Sequence, residues 1–269
     1  MIRNLVLILA LGITLNANIN TKVKNLLGSS TYNTHKNLIN FIFAQKSSYY
    51  KNGQLDYTLV TQKLSNNNLL KLKFSTTKYI NVNFRLIGKE KKSLLIVKDI
   101  LKSLGHYYYF TKEANFTENE LLWRIKLKTD VAINPLRLSQ SLDKTNSKIL
   151  NIIKEGSSDY TYVIDFTNSK LAKVEDLKIN SQVTLKKPFR AYMISVENAT
   201  SLNINSNTGN RWHPNITFYD ENMNILEIVK ENSLKRSFKV DVPVDTSYVK
   251  IDDLYSLANL RRGISITKE

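Results

Sequence analysis

Apolar positions recur along this chain with two different periods, and the change between them divides it. From His35 to Tyr50, apolar residues at Leu38, Ile39, Ile42, Phe43 and Tyr49 or Tyr50 predict a helix with one buried stripe, ended by Asn52-Gly53. Leu55, Leu59, Val60 and Leu64 predict a second helix, broken at Asn66-Asn67-Asn68. Residues 18–33 are polar by comparison and read as a loose leader. Strict alternation then sets in, with Ile80, Val82, Phe84 and Leu86 on one face of a strand. Ser93–Leu104 is an apolar helix closed by Gly105, where a left-handed residue is needed. His106–Phe110 is β-rich, and Leu122–Thr129 alternates again. Asn134-Pro135 supplies a cap and a first-turn proline for another helix, followed by strands at Ile149–Ile153 and Tyr160–Phe166. The order of residues 79–155 is that of the split βαβ, ferredoxin-like motif, with one strand added after it.

From Gln182 onward helical spacing almost vanishes. Short β segments fall at Val183–Leu185, Ala191–Val196, Leu202–Ile204, Ile216–Tyr219, Ile225–Val229, Phe238–Val242, Tyr248–Ile251 and Gly263–Thr267, with turn residues between them. This predicts an all-β sandwich of jelly-roll type. The expected class is therefore α+β: residues 18–70 helical, 71–175 a ferredoxin-like domain, and 180–269 the sandwich.

The extreme N-terminus changes the compartment. Met1-Ile-Arg-Asn precedes an apolar run from Leu5 to Leu15, about half of the ~20 residues that a membrane-spanning helix needs. With Ala17 as the small residue at the cut, residues 1–17 read as a cleavable signal peptide, so the mature protein is expected to be soluble and periplasmic. There is no cysteine, which removes disulfides, thiolate metal sites and a lipidated anchor. The net charge of +16 favours anionic partners. In the periplasm these are lipid headgroups, lipopolysaccharide phosphates, peptidoglycan carboxylates and acidic proteins, not nucleic acid. The bland account of the same charge is lysine scattered over a solvated surface.

Few groups converge on chemistry. His35, His106 and His213 are the only histidines, and none pairs with another at ligand spacing. Arg211-Trp212-His213 would set a guanidinium, an indole and an imidazole on one loop, able to stack on a sugar or grip a carboxylate; the competing role is a tryptophan plugging the sandwich. Asp220, Asn222 and Asn224 alternate like the start of a calcium loop but lack its glycine and distal glutamate, and Asp252-Asp253 likewise reads as a turn. Glu118 and Glu120 are candidates for a glycosidase acid/base pair in a charged loop. No G-x-S-x-G elbow and no H-E-x-x-H occurs. Tyr107-Tyr108-Tyr109-Phe110 splits across a strand, with packing as its favoured role. Glu113-Ala-Asn115-Phe-Thr117 resembles the extended acceptor sequon of bacterial oligosaccharyltransferases, in an expected loop, making Asn115 a glycosylation candidate.

Asn215–Asp220 leading into Asn224–Ile228 resembles, in texture alone, the hairpins of carbohydrate-binding and pre-peptidase-type sandwiches, so no binding residue transfers. The expectation is a non-enzymatic periplasmic binding or scaffolding protein without a cofactor. Its partner would be an anionic envelope component such as peptidoglycan, or a protein assembly. A cell-envelope glycan hydrolase and a secreted adhesin are the alternatives.

Overall fold

Residues 18–33, expected as a leader, instead open the fold. In the computed structural model, which describes residues 19–88, 90–117, 119–171, 174–176, 178–196 and 198–269, α1 (Ile19–Leu27) buries Ile19, Val23, Leu26 and Leu27. These four recur at helical spacing, a stripe too sparse to stand out against the intervening Asn, Thr and Lys. Gly28 then turns the chain into α2 (Ser29–Thr34), which buries Tyr32. The expected signal segment lies outside the described residues, and among those described no helix is long and apolar enough to cross a membrane.

The helix expected over 35–50 stops early. α3 (Lys36–Ile42) buries Ile39 and gives way to a 3-10 turn at Lys46–Tyr49, because Phe43 folds back edge-on to Tyr49 with ring centroids 4.9 Å apart. A two-residue hairpin follows, β1 (Tyr50–Lys51) with β2 (Gln54–Leu55), around Asn52 and Gly53 at φ 52 and 75. Asp56 caps α4 (Tyr57–Asn66), its carboxylate accepting the Leu59 amide at 3.0 Å.

The sheet of this first compact unit, Met1–Lys170, is built from β3 (Lys73–Ile87), β4 (Phe110–Phe116), β5 (Glu120–Val131), β6 (Lys148–Glu155) and β7 (Asp159–Asp165). α5 (Glu90–Ser103) joins β3 to β4, and α6 (Pro135–Asp143) joins β5 to β6. The strand order is β4-β5-β3-β7-β6. The added strand is thus not appended outside but inserted between β3 and β6, and it pairs in parallel with β3. In that central place β7 buries Tyr160, Tyr162 and Ile164 on one face, where the edge strand β6 buries only Ile149 and Ile152. One row of the buried face stacks aromatic rings across three strands, Trp123, Phe84 and Tyr162, at 5.5 and 5.6 Å.

The second compact unit, Leu171–Glu269, is all strand apart from one 3-10 turn among its described residues. It contains β8 (Glu175–Asp176), β9 (Gln182–Leu185), β10 (Tyr192–Ser195), β11 (Ser201–Ser206), β12 (Pro214–Tyr219), β13 (Ile225–Lys230), β14 (Ser237–Asp241), β15 (Tyr248–Asp253) and β16 (Ile264–Lys268). They form two sheets, β13-β12-β15-β10-β8 and β14-β11-β16-β9. Ile194, Ile216, Phe218, Val249 and Ile251 from the first meet Leu202, Ile204, Ile264 and Ile266 from the second in one apolar core. All eight expected β segments overlap strands; β8, two residues long, was too short to show in the pattern. The overall class is α+β, mostly strand in several sheets with six helices among the described residues.

Candidate functional site

Of the three residues Arg211, Trp212 and His213, the structure leaves only the first open to solvent. Trp212 is fully buried, edge-on to Phe238, and its indole N–H donates to the Asp252 carbonyl at 2.9 Å. It anchors the loop to the core. His213 is largely covered, its ring edge-on to Tyr255 at 4.9 Å and its backbone N–H donating to Asp253 Oδ2 at 2.7 Å. The exposed aromatic here is Tyr255, not Trp212.

Asp253 organises this region. Its carboxylate is wholly shielded, and besides His213 it accepts the backbone N–H groups of Tyr255 and Ser256 and the Asn259 side-chain amide, at 2.9, 2.8 and 2.8 Å. Burial alone would raise its pKa; the backbone donors of His213, Ser256 and Tyr255, with Asn259, together hold it below the usual aspartate value. The expected turn at Asp252-Asp253 is therefore a buried anion that ties β15 and the following segment to the loop before β12.

Because consecutive strands run in alternate directions, alternate connections gather at the same end of the unit. Four meet at one end: 186–191, 207–213, 231–236 and 254–263. Backbone bonds lace them together, from Arg211 N–H to the Asn259 carbonyl (3.1 Å), Lys235 N–H to Trp212 (2.9 Å), Ser206 N–H to Arg236 (2.8 Å) and Leu254 N–H to His213 (2.9 Å). Gly263, at φ 81, abuts Leu185 so closely that an added Cβ would lie 2.1 Å from its carbonyl oxygen. These connections carry Lys186, Lys187, Arg190, Arg211, Lys235, Arg236, Arg261 and Arg262, with Glu231 as their one carboxylate, 3.6 Å from Lys235.

The opposite end has the reverse sign. Its connections, around 198–200, 220–224 and 242–247, line an open groove of about 750 Å³ and carry Asp220, Glu221 and Asp245; the segment entering β9 brings Lys178 to this end, and β16 finishes there on Lys268 and Glu269. Asp220 accepts the backbone N–H groups of Asn222 and Asn224 and the Asn224 side-chain amide at 2.9, 2.7 and 2.6 Å, so the alternating oxygens of this segment build a turn. Among the described residues no group of three His, Asp or Glu stands where it could hold a metal ion.

Charge is thus sorted within the second unit but not in excess there. Residues 171–269 hold 14 Lys and Arg against 12 Asp and Glu, whereas residues 1–170 hold 25 against 11. The surplus behind the net charge of +16 is therefore not carried by the second unit, which is nearly neutral with a basic end.

In the first unit the expected site residues fare differently. Glu118 lies outside the described residues. Glu120 opens β5 and forms a two-pronged ion pair with Arg85 at 2.6 and 2.9 Å. The Arg85 hydrogen bonds hold its carboxyl below the ordinary range, the opposite of what a proton donor needs. Asn115 is on the exposed edge strand β4, not in a loop: it pairs with Leu122, and its amide donates to Glu113. Thr117 follows the strand, its hydroxyl donating to the Glu120 carbonyl at 3.0 Å. Of the aromatic run only Tyr109 packs, edge-on to Trp123 at 5.4 Å; Tyr107, Tyr108 and Phe110 are exposed beside that strand. The lone His106 follows the α5 cap buried, its N–H bonded to the Leu101 carbonyl at 2.9 Å.

Three features of the basic end were missed from the sequence: Phe189, Leu234 and Tyr255, all exposed. The available signal was a single large apolar residue set among cations inside a turn, as in Lys186-Lys187-Pro188-Phe189-Arg190. Compared with known protein families, curated proteins and solved structures, the chain finds no match in any of the three.

Proposed function

We propose that this chain is a non-enzymatic binding protein of the bacterial periplasm, exported by its N-terminal apolar segment, that grips an anionic envelope component with the basic end of its C-terminal unit. The observation that carries the reading is the sorting of charge. Eight cations occupy the four connections of one end, whereas the groove-lining connections of the other end hold Asp220, Glu221 and Asp245, with Lys178 beside them in the segment entering β9. Lysine scattered by composition would populate both ends alike. Opposite signs at two ends of one rigid core make an oriented field that draws an anion to one face.

On this reading the C-terminal unit is a jelly-roll-type sandwich, and the first unit a ferredoxin-like motif with an inserted strand. The first unit supplies protein contacts, a role supported by the exposed Tyr107 and Tyr108 just before the edge strand β4 and by the exposed Phe110 that opens it. The test is a pull-down of the tagged protein from cross-linked cells, with cell-envelope extract and purified sacculi in parallel. Retention that falls with added salt and is lost in Arg211→Glu/Arg261→Glu/Arg262→Glu supports the reading. Retention of no envelope component by the wild-type chain refutes it.

A further inference from the structure

The four connections of the basic end present more than charge. Phe189 is 96% exposed, Tyr255 66% and Leu234 49%. Each belongs to a different connection, and each lies within a few residues of cations: Phe189 beside Lys187 and Arg190, Leu234 before Lys235 and Arg236, Tyr255 ahead of Arg261 and Arg262. The hydrogen bonds that lace the connections together hold the segments bearing Leu234 and Tyr255 against the Arg211–His213 loop, and Gly263 seats the segment bearing Phe189 against the last of them.

Cations alone suffice to hold a soluble polyanion, whose charged groups are spread through water. Three large apolar side chains exposed among those cations leave a cost in water that such a partner does not relieve. A lipid surface relieves both. Its anionic headgroups meet the lysines and arginines, while apolar tips sink a few ångströms to the boundary of the acyl chains. The long stems of Lys and Arg reach from one layer to the other.

Resting on the function proposed above, we infer that the anionic partner is a lipid bilayer surface, which the chain engages with Phe189, Leu234 and Tyr255 inserted and with Lys186, Lys187, Arg190, Arg211, Arg261 and Arg262 at the headgroups. Asp220, Glu221 and Asp245 lie at the far end, so the cations mark the one face that such a surface attracts. Each cation near such a surface contributes roughly fivefold in affinity, so the set makes a reversible attachment of useful strength without any spanning segment.

The experiment is co-sedimentation of the purified full chain with vesicles of phosphatidylglycerol and phosphatidylcholine in equal amounts. Phosphatidylcholine vesicles, soluble polygalacturonate and single-stranded DNA serve as parallel probes. The wild type is expected to bind the anionic vesicles and not the neutral ones. Phe189→Ser/Leu234→Ser/Tyr255→Ser should weaken vesicle binding about tenfold or more while leaving polygalacturonate binding within about twofold. Because the three side chains are exposed, the fold should survive, and unchanged Trp212 fluorescence in a Trp123→Phe background will show it. A Phe189→Trp variant gives a second readout, its emission shifting to the blue on anionic vesicles. Vesicle binding unaffected by the triple substitution overturns the inference, as does equal binding to neutral vesicles. Binding to polygalacturonate or DNA but not to vesicles also overturns it while sparing the anion-binding function; binding to no anion removes both.

Discussion

The buried carboxylate of Asp253 offers the sharpest test of how the basic end is built. Asp253→Ala removes the acceptor for three backbone N–H groups and one side-chain amide. A hydrogen bond to a charged group contributes about 1.5–3 kcal/mol, so simple addition over four would give about 6–12 kcal/mol. Addition overstates the loss. The substitution also removes the desolvation cost of the charge, and the segment after β15 lies near the surface, where water can enter and satisfy some of the donors. The expected cost is therefore about 3–5 kcal/mol, a large part of the stability of a domain. Asp253→Asn keeps an acceptor but not the charge and should cost about half as much. The assay follows from the placement of the two tryptophans, Trp123 buried in the first unit and Trp212 in the second. In a Trp123→Phe background, urea unfolding followed by Trp212 fluorescence reports the second unit. Asp220→Ala, which removes a carboxylate from an open turn, is the matched control and should cost about 1 kcal/mol. The carboxyl of Asp253 lies below its unfolded value of about 3.9, so its contribution is present above that pH and fades as pH falls through the folded value. If Asp253→Ala costs no more than Asp220→Ala, or its effect persists unchanged well below pH 3.9, the role assigned to the carboxylate is wrong.

Gly263→Ala should destabilise the second unit by about 3 kcal/mol or more, because its Cβ would meet the Leu185 carbonyl oxygen at 2.1 Å on a backbone at φ 81; loss of the Trp212 signal at lower urea than wild type checks this. Phe84→Ala opens a hole in the Trp123–Phe84–Tyr162 row and should cost the first unit about 3–5 kcal/mol, read from Trp123 with Trp212 replaced by Phe. Burial lowers the pKa of His106 below its usual value, so the unfolded chain takes up a proton first. The first unit should lose stability as pH falls below about 6.5, the unfolded value, and His106→Gln should flatten that dependence. Glu120→Gln, which breaks an exposed pair with Arg85, should cost under about 1 kcal/mol.

What the sequence disclosed and what it hid divide along physical lines. Period-two alternation through Ile80–Leu86 and Leu121–Leu127 is a local signal, and those strands are where the pattern places them. The α6 start, with Asn134 accepting the Leu136 and Arg137 amides, is equally local. The place of β7 is not local. β6 and β7 carry equal numbers of apolar residues, and the central place of β7 comes from its parallel pairing with β3, a long-range contact that no local pattern shows. α1 was hidden for a related reason: four apolar residues in nine are enough for a helix that docks on a sheet, yet too few to be seen without it. For Trp212 the sequence offered two roles, ligand stacking and closing the core, and the buried ring takes the second, since an indole large enough to recognise a ligand is also large enough to close a core.

The sorted charge was legible in principle and needed one further step. Once eight β segments are assigned and taken to alternate in direction, their connections fall into two sets, and the sign of each set can be read from the chain. Turns holding Lys186, Lys187, Arg190, Arg211, Lys235, Arg236, Arg261 and Arg262 alternate with turns holding Asp220, Glu221 and Asp245. No single turn is unusual, since charged residues are ordinary in loops. Only the strand directions convert their alternation in sequence into separation in space. Net charge, which drew attention to the whole chain, pointed the wrong way, because the surplus belongs to residues 1–170 while the ordered field belongs to residues 171–269. A surface that holds an anion in a fixed orientation requires arrangement more than excess. On the proposal above, a nearly neutral unit with its cations gathered at one end offers an anion a single face, which the same cations spread evenly would not do.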